Sequence, residues 1–325
     1  MTRRTRAALL LAAAVPLLLA CCTAAVTPTA EPTTGTDGAV TVDNCGTSVT
    51  FAAAPKRVVA IKSTSTEMLL ALGLGDRIVG TAFQDGPVPD AWADAAKDVP
   101  NISDFMPGEE AVLELEPDLV YSGWESAFAA DAAGERDELA GLGVASYVQP
   151  AACRSAQVPG KLDFAEIDRE IGEVASIFRV DASDLIAKQH AELEAMVPDS
   201  HGLTALWYSS GTDTPYVGAG IGAPELVLET AGLTNIAADI DMTWTSLSWE
   251  SIVAADPDVI VLIDADWNTA QSKMDMLEDN PATAQMTAVK KNHYIVLPFA
   301  SSEAGVRTVS AVGDVLLQLK NFTDL

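Results

Sequence analysis

The sequence contains a polar run of the kind that binds anions at the start of a helix. Lys62, Ser63 and Thr64 lead directly into an apolar segment with helical spacing. Free backbone N–H groups at such a helix start, together with the Lys62 ammonium, would suit an anionic or carbonyl-rich ligand. An ordinary Ser/Thr helix cap accounts for the same residues equally well.

A glycine-rich run offers a second site of this kind. Gly218, Gly220 and Gly222 alternate directly before a segment that carries Pro224 in its expected first helical turn. Glycine lets the backbone approach a ligand closely, and the helix start again offers N–H donors. The spacing is not G-x-G-x-x-G, so dinucleotide binding is not indicated, and a flexible turn is the alternative interpretation.

Aromatic residues follow many of the expected strand ends, which is where α/β proteins bind ligands. Their faces would hold a flat ring system, although core packing would explain any one of them as well. The candidates are Phe83, Tyr121, Trp124, Trp207, Tyr208, Tyr216, Trp244, Trp267 and Phe299. Arg154 and Arg307 are candidates for pairing an anionic group, with a structural ion pair as the alternative.

Catalytic and metal-binding patterns find little support. His190, His201 and His293 have no mutual spacing suited to one metal ion, and no nucleophile or phosphate-binding motif is present. We therefore expect no enzyme, no metal and no cofactor. A secreted enzyme with Glu125 or Asp104 as a base is the alternative of another class.

A repeated pattern indicates the elements that position these residues. Glu110 stands seven residues before Pro117-Asp118, and Glu250 stands seven residues before Pro257-Asp258; each Pro-Asp opens an apolar, β-branched run. We infer that the chain contains two related halves.

Each half shows the order strand, helix, short strand, helix, strand, which predicts parallel sheets covered by helices on both faces. Between the halves, residues 164–199 have the spacing of two helices, and the second would span about 25 Å between the lobes. The predicted fold is α/β, with two Rossmann-like lobes joined by a long rigid helix and a ligand cleft between them.

The N-terminal residues predict export. Arg3, Arg4 and Arg6 precede an apolar run that is short for a membrane span, and Cys21 and Cys22 follow it. We expect a signal peptide over residues 1–20 and a flexible tether over residues 21–40, lipidated at Cys21 or Cys22. An N-terminal lobe over 41–163, linking helices over 164–199 and a C-terminal lobe over 200–325 complete the predicted organisation.

The net charge limits the classes of partner that the protein could bind, and the remaining cysteines indicate its compartment. The formal net charge of −27 would repel nucleic acid and favours a soluble monomer. Cys45 and Cys153 form an even pair, which outside the cytosol favours a disulfide over free thiols. In the chain-entropy description, a bridge that closes so long a loop stabilises the fold by about 4 to 5 kcal/mol.

The paired Glu-to-Pro-Asp signatures, the Leu-Leu-Ala-Cys ending and the run Lys56-Arg57-Val-Val-Ala60 resemble a known family. They are similar to ABC-transporter substrate-binding lipoproteins of the cobalamin, haem and ferric-siderophore type. The resemblance covers about residues 45 to 320. It implies an extracytoplasmic, membrane-anchored protein that delivers a small molecule to an ABC permease, with Glu110 and Glu250 docking on that permease.

Several further runs resemble an actinobacterial subgroup proposed to bind coenzyme F-420-0, a deazaflavin phosphodiester. They are Ser63-Thr-Ser-Thr-Glu-Met-Leu-Leu, Tyr121-Ser-Gly-Trp-Glu125, Ala205-Leu-Trp-Tyr-Ser-Ser-Gly211, Tyr216-Val-Gly-Ala-Gly-Ile-Gly-Ala-Pro224 and Asp266-Trp-Asn-Thr-Ala270. A ferric siderophore, cobalamin or haem is the alternative cargo for the same fold.

Overall fold

An antiparallel three-stranded sheet precedes the two lobes. The computed structural model describes residues 33–34, 38–154 and 160–323, so the predicted signal peptide, Cys21 and Cys22 lie outside the described residues. The strands of this sheet are β1 (Thr33–Thr34), β2 (Val40–Asn44) and β3 (Thr47–Phe51).

The first lobe is a five-stranded parallel sheet in the order β6-β5-β4-β7-β8. Its elements are β4 (Val58–Ile61), α1 (Ser63–Ala71), β5 (Ile78–Ala82), α2 (Ala93–Ala96), β6 (Asn101–Ser103), α3 (Glu109–Leu113), β7 (Leu119–Ser122), α4 (Arg136–Gly141) and β8 (Ala145–Val148). All four residues of β4 are buried, because side chains of a central parallel strand alternate between two helix-covered faces. Val58 and Ala60 pack on one face, and Val59 and Ile61 on the other.

Two helices connect the lobes, α5 (Phe164–Phe178) and α6 (Ser183–Glu194). Asp163 caps α5 by accepting a hydrogen bond from the backbone N–H of Glu166 at 2.9 Å. Leu185 and Ile186 of α6 pack against the core of the first lobe, whereas Met196, just beyond the helix, packs against the core of the second. The second helix therefore crosses between the lobes.

The second lobe has six strands and is not purely parallel. Its elements are β9 (Thr204–Ser210), β10 (Tyr216–Gly218), α7 (Ala223–Thr230), β11 (Thr234–Asn235), β12 (Trp244–Ser246), α8 (Trp249–Ala255), β13 (Val259–Asp264), α9 (Ala270–Asp279), α10 (Thr287–Lys291), β14 (Tyr294–Pro298) and α11 (Thr308–Leu319). The strand order is β12-β10-β9-β13-β14, and β11 also pairs with β9.

The expectation of a fully parallel second sheet was wrong for β10, which runs antiparallel to both β9 and β12. Gly211 permits the tight turn that follows β9, with a φ of 86°. A Cβ at this position would lie 2.2 Å from the backbone oxygen of Thr214, so only glycine fits. The chain therefore returns in a hairpin before it enters the predicted helix.

The Pro-Asp repeat has the same structural role in both lobes. The Asp118 carboxylate accepts hydrogen bonds of 2.8 to 3.1 Å from the backbone N–H groups of Lys56 and Arg57, just before β4. The Asp258 carboxylate accepts from the N–H and hydroxyl of Thr204, the first residue of β9, at 2.9 and 2.8 Å. Each aspartate thus ties the start of one central strand to its neighbour.

The backbone repeats as well. Glu116 and Asp256, the residues before the two prolines, have φ angles of 46° and 42°. Non-glycine residues rarely adopt this left-handed conformation. This shared turn supports the inference that the same α/β arrangement occurs twice in the chain.

A disulfide joins Cys45, at the tip of the β2–β3 hairpin, to Cys153, beyond the end of β8. This confirms the predicted bridge. Among the described residues, no helix is long and apolar enough to span a membrane.

Two buried glutamates on α5 accept hydrogen bonds from tyrosines of the first sheet. The hydroxyl of Tyr121 donates to Glu170 at 3.2 Å, and that of Tyr147 donates to Glu173 at 2.6 Å. Tyr121, which the sequence offered as a ligand contact, is therefore a core residue. Burial raises the pKa of Glu170 from 4.5 to about 8, while the Tyr121 hydrogen bond opposes the rise.

This burial predicts that Glu170→Gln flattens the pH dependence of stability. Between pH 4.5 and 8 the folded protein retains a proton that the unfolded chain releases, so the free energy of unfolding falls as the pH rises. We expect the variant and the wild type to be about equally stable at pH 5. At pH 8 the variant should be more stable by on the order of 2 kcal/mol.

Urea unfolding at both pH values measures the difference. The exposed Glu194→Gln, at the end of α6, is the control and should match the wild type. A Glu170→Gln variant that loses stability equally at pH 5 and pH 8 would show that Glu170 is ionised in the native protein.

Candidate binding cleft between the lobes

A cavity of about 270 Å³ lies between the two lobes. The first lobe and the segment after β8 contribute Trp124, Glu125, Ser126, Ala152 and Arg154 to its walls. The second lobe contributes Ser209, Ser210, Tyr216, Trp267 and Phe299. The cavity lies beyond the carboxyl ends of β7 and β9, where open α/β sheets bind ligands.

Five aromatic rings form a continuous row across this cleft. The centroid distances along the row are 6.1 Å from Phe105 to Phe83, 5.4 Å from Phe83 to Trp124, 6.2 Å from Trp124 to Phe299 and 5.4 Å from Phe299 to Trp267. The two end rings are exposed, Phe105 by 67% and Trp267 by 43%. The row therefore offers apolar ring surface from both lobes to one ligand.

Trp267 is held on a short turn by bonds from its own lobe. The backbone oxygen of Asn268 accepts a hydrogen bond of 2.7 Å from the buried Nζ of Lys273, and the Asp264 carboxylate accepts one of 2.6 Å from the N–H of Ala270. These hydrogen bonds hold the turn that carries Trp267. Because the backbone of this turn is already ordered, it loses little conformational freedom when the Trp267 ring contacts a ligand.

Lys62 lies behind the aromatic row rather than in the cavity. Its side chain is fully buried and forms an ion pair with the buried Asp85. The Nζ atom lies 4.0 Å from the ring centroid of Trp124, 4.2 Å from that of Phe83 and 4.7 Å from that of Phe299, which are cation–π distances. The lysine therefore supports the wall instead of contacting the ligand directly.

The start of α1 is occupied by the protein's own carboxylate. Ser63 accepts a hydrogen bond of 2.9 Å from the N–H of Asp85, and the N–H of Ser63 lies 3.4 Å from the Asp85 carboxylate. Burial raises the pKa of Asp85, and the Lys62 ammonium opposes that rise. The predicted anion site at Lys62, Ser63 and Thr64 is thus filled internally, and all three side chains are buried.

Glu303 of the second lobe reaches across to the first. Its carboxylate accepts hydrogen bonds from the indole N–H of Trp124 and, at 3.1 Å, from the hydroxyl of Thr64. Burial raises the pKa of Glu303 to about 7, while the neighbouring Lys62 ammonium opposes the rise. The two lobes are thus linked by a polar contact at the floor of the cleft.

Arg307 makes a second link between the lobes. Its guanidinium pairs with the Glu67 carboxylate in bidentate geometry, with both N···O distances at 2.5 Å. Glu67 is buried in α1, and burial raises its pKa against the opposing effect of Arg307. The structure therefore gives Arg307 the structural ion pair that was the alternative to ligand binding.

Two further aromatic candidates belong to the core. Trp207 is fully buried within the second lobe, and Tyr208 is buried with its hydroxyl donating to the backbone oxygen of Gly211 at 2.9 Å. For these residues packing replaces the expected ligand contact. Trp244 is half-buried and stacks on Tyr216, with centroids 5.7 Å apart and ring planes 15° apart.

The glycine-rich run also serves packing. A Cβ on Gly218 would lie 2.2 Å from Pro224, and a Cβ on Gly220 would lie 2.0 Å from the backbone oxygen of Ala238. The close approach that requires glycine is therefore to the protein's own chain, and this corrects the expectation that the run contacts ligand.

Sequence reasoning missed several residues of this region. Asp85, Phe105 and Glu303 lie in loops with no motif around them, whereas Ser209 and Ser210 end β9 within the run Ala205-Leu-Trp-Tyr-Ser-Ser-Gly211. The two serines directly follow Tyr208, so their place at the carboxyl end of a strand could have been inferred.

Glu110 and Glu250 occupy equivalent places in the two lobes. Each is the second residue of a short helix, α3 or α8, that precedes a central strand, and each is exposed. Because these helices run antiparallel to the strands, both acids lie at the carboxyl edges of the two sheets, on the same side as the cleft.

No group of three or more His, Cys, Asp or Glu side chains suited to a metal ion occurs in the part of the chain that the structure describes. Among the described residues, the cleft instead combines aromatic rings, three serines, one arginine and one glutamate, which suits an organic molecule with a planar part and polar or anionic groups.

Comparison with known proteins agrees with this architecture. The family described as "Periplasmic binding protein" matches residues 58–300 of the chain. The chain belongs to this periplasmic binding protein family. Among its relatives is YvrC of Bacillus subtilis, an ABC transporter substrate-binding lipoprotein, 26% identical over 85% of this chain and 84% of that protein. A vitamin B12-binding protein of Yersinia pestis is 24% identical over 65% of this chain and 70% of its own length.

Solved structures show the same two-lobed fold. A periplasmic binding protein from Veillonella parvula superposes with a TM-score of 0.75 at 25% identity, covering 88% of this chain and 99% of that one. A protein of an ABC-type Fe3+-hydroxamate transport system from Saccharomonospora viridis gives 0.73 at 23% identity, covering 86% and 98%. The family match and the curated relatives indicate a binding protein rather than an enzyme.

Proposed function

We propose that this protein captures a small organic molecule outside the cytoplasm and delivers it to an ABC importer. The observation that carries the proposal is the cavity of about 270 Å³ whose aromatic walls come from both lobes. The relatives named as ABC transporter substrate-binding and vitamin B12-binding proteins support the transport role.

Coenzyme F-420-0, a flat deazaflavin with a phosphodiester, is the ligand we propose. The tricycle would lie against Trp124, Trp267 and Phe299, and Arg154 and the serines of β9 would face its polar groups. The volume is near the lower end of ligand pockets, about 300 to 1,000 Å³, which suits a ring inserted edgewise better than a globular complex.

A ferric siderophore, cobalamin or haem is the competing cargo. Relatives and structural neighbours named for vitamin B12, Fe3+-hydroxamate and heme support this alternative. Titration of the purified protein with F-420-0, a ferric hydroxamate, cobalamin and haem, followed by tryptophan fluorescence, distinguishes them. Tight binding of a metal complex without binding of the deazaflavin would reverse the assignment.

The anchoring and the docking of the protein complete the proposal. Lipidation at Cys21 or Cys22 would hold the protein on the outer face of the membrane through the tether over residues 21–40. The exposed Glu110 and Glu250 would dock on the permease, one from each lobe. The protein would act as a monomer, since its cleft is complete within one chain.

Trp267→Ala tests the aromatic wall directly. Because the side chain is 43% exposed and fixed on a turn, we expect the free energy of unfolding to change by less than about 1 kcal/mol. The loss of ring contact should weaken ligand binding about tenfold. Fluorescence or calorimetric titration measures the change in Kd.

Trp249→Phe is the matched control. Trp249 lies outside the cavity lining, and its indole N–H donates to the backbone oxygen of Thr212 at 2.7 Å. Its replacement should leave Kd unchanged. Equal weakening by both substitutions would place the ligand elsewhere.

A further inference from the structure

The disulfide ends directly beside the cavity. Cys153 stands between Ala152 and Arg154, and both of these neighbours line the cavity wall. The Arg154 side chain is exposed, and among the described residues that line this cavity it is the one arginine or lysine. The bridge therefore holds the backbone from which this cation extends.

The other end of the bridge is a firmly held hairpin tip. Asn44, directly before Cys45, is buried; its side-chain amide donates to the backbone oxygen of Val148 at 2.7 Å and its carbonyl accepts from the Val148 N–H at 2.8 Å. The Arg136 guanidinium donates to the backbone oxygen and side-chain oxygen of Asn44 at 2.7 and 2.9 Å. Cys45 is thus attached to the end of β8 independently of the disulfide.

A hydrogen bond to the first lobe holds the backbone at Arg154. The N–H of Arg154 donates to the Glu125 carboxylate at 2.5 Å, and Glu125 directly follows Trp124 of the aromatic row. The bridge and this bond together place Arg154 at the edge of the wall where an anionic group of a planar ligand would emerge. Fixing the backbone at Arg154 in advance reduces the entropy lost when its side chain binds a ligand.

We propose that the Cys45–Cys153 disulfide is a positioning element of the binding site, which holds Arg154 for the anionic group of the ligand. This inference rests on the proposed function, because it assumes a planar ligand in the cavity. It predicts that loss of the bridge weakens binding of anionic ligands while the Asn44 contacts keep the hairpin on the lobe.

A double-mutant cycle with two flavins tests the proposal. FMN and riboflavin share one tricycle, but only FMN carries a phosphate. The four proteins are the wild type, Cys45→Ser/Cys153→Ser, Arg154→Gln and the triple variant. We expect loss of the bridge to raise the Kd of FMN about fivefold and that of riboflavin less than twofold. In the Arg154→Gln background, loss of the bridge should change neither Kd.

Two outcomes would overturn the proposal. One is equal weakening of FMN and riboflavin, and the other is an unchanged effect of the bridge in the Arg154→Gln background. Either would mean that the bridge acts on the fold and not through Arg154. If the serine variant folds poorly, the folded wild type is treated with a water-soluble phosphine, which takes up oxygen from water as the bridge becomes two thiols.

A ligand-free measurement separates this proposal from the proposed function. Iodide and acrylamide quench Trp267, the exposed tryptophan of the described cleft lining, but only iodide is attracted by Arg154. The ratio of the iodide to the acrylamide quenching constant should fall equally in Arg154→Gln and in the bridge-free protein, with no further fall in the triple variant. An unchanged ratio on loss of the bridge rejects the positioning role. Failure of the wild type to bind either flavin, with the expected quenching, would reject only the planar ligand.

Discussion

Arg307→Met is expected to lower the free energy of unfolding by about 3 to 5 kcal/mol. The substitution leaves the Glu67 carboxylate buried at the interface between the lobes without the guanidinium that neutralises it. An uncompensated charge in that position costs more than the ion pair contributes, because the carboxylate cannot regain its hydration. The loss should shrink as the pH falls, since protonation of Glu67 removes the unpaired charge.

Urea unfolding of three proteins checks this expectation. Arg169→Met removes a pair with Glu166 whose partners are both 36% exposed, so it should cost less than about 1 kcal/mol. Glu67→Gln/Arg307→Met removes both charges and should recover most of the stability. If Arg307→Met lowers the free energy of unfolding no more than Arg169→Met does, the Arg307–Glu67 pair does not stabilise the contact between the lobes.

The repeat is what the sequence could predict well. A Glu, a Pro-Asp and an apolar run recur because each lobe needs the same turn and the same carboxylate to start its central strand. The turn is formed by neighbouring residues, so it leaves a readable pattern, although each carboxylate bonds to a residue 61 or 54 positions away. The strands around Val58, Thr204 and Val259 and the two linking helices follow from local signals, whereas the disulfide was predicted from an even pair of cysteines outside the cytosol.

The interior of the cleft could not be predicted in the same way. The partners of Lys62, Asp85 and Glu303 are separated by tens to hundreds of positions, and their pairing depends on how the two lobes face each other. A polar helix start looks the same whether a ligand or an internal carboxylate fills it. Arg307 was ambiguous for the same reason, because an arginine suits a bound anion and a buried glutamate equally.

Two internal ion pairs limit the charged groups that can recognise a ligand. Lys62 and Arg307 are neutralised by Asp85 and Glu67, so neither cation is available to the cavity. Under the proposed function, selectivity would therefore depend on the aromatic row, the serines of β9 and Arg154. The polar links at Glu303 and Arg307 restrain the lobes, which makes a largely preformed cleft the expected binding mode.

Reversing both exposed acids, in Glu110→Lys/Glu250→Lys, is expected to reduce transport more than tenfold and to leave ligand affinity unchanged. The two residues are related by the repeat, lie on different lobes and face the same side as the cleft. If each pairs with a cation of the permease, reversal places like charges together at two points of one interface, and such juxtaposition costs several kcal/mol.

Uptake by cells that carry each variant as the sole copy measures transport, and fluorescence titration of the purified proteins measures affinity. Glu114→Lys/Glu278→Lys changes the net charge equally at exposed acids, one following α3 and the other near the end of α9, so it is the matched control. Each single reversal should have an intermediate effect, because one lobe can still engage the permease. Equal transport by the reversed protein and the control would exclude docking through these acids, whereas a parallel loss of ligand affinity would assign them to the binding site.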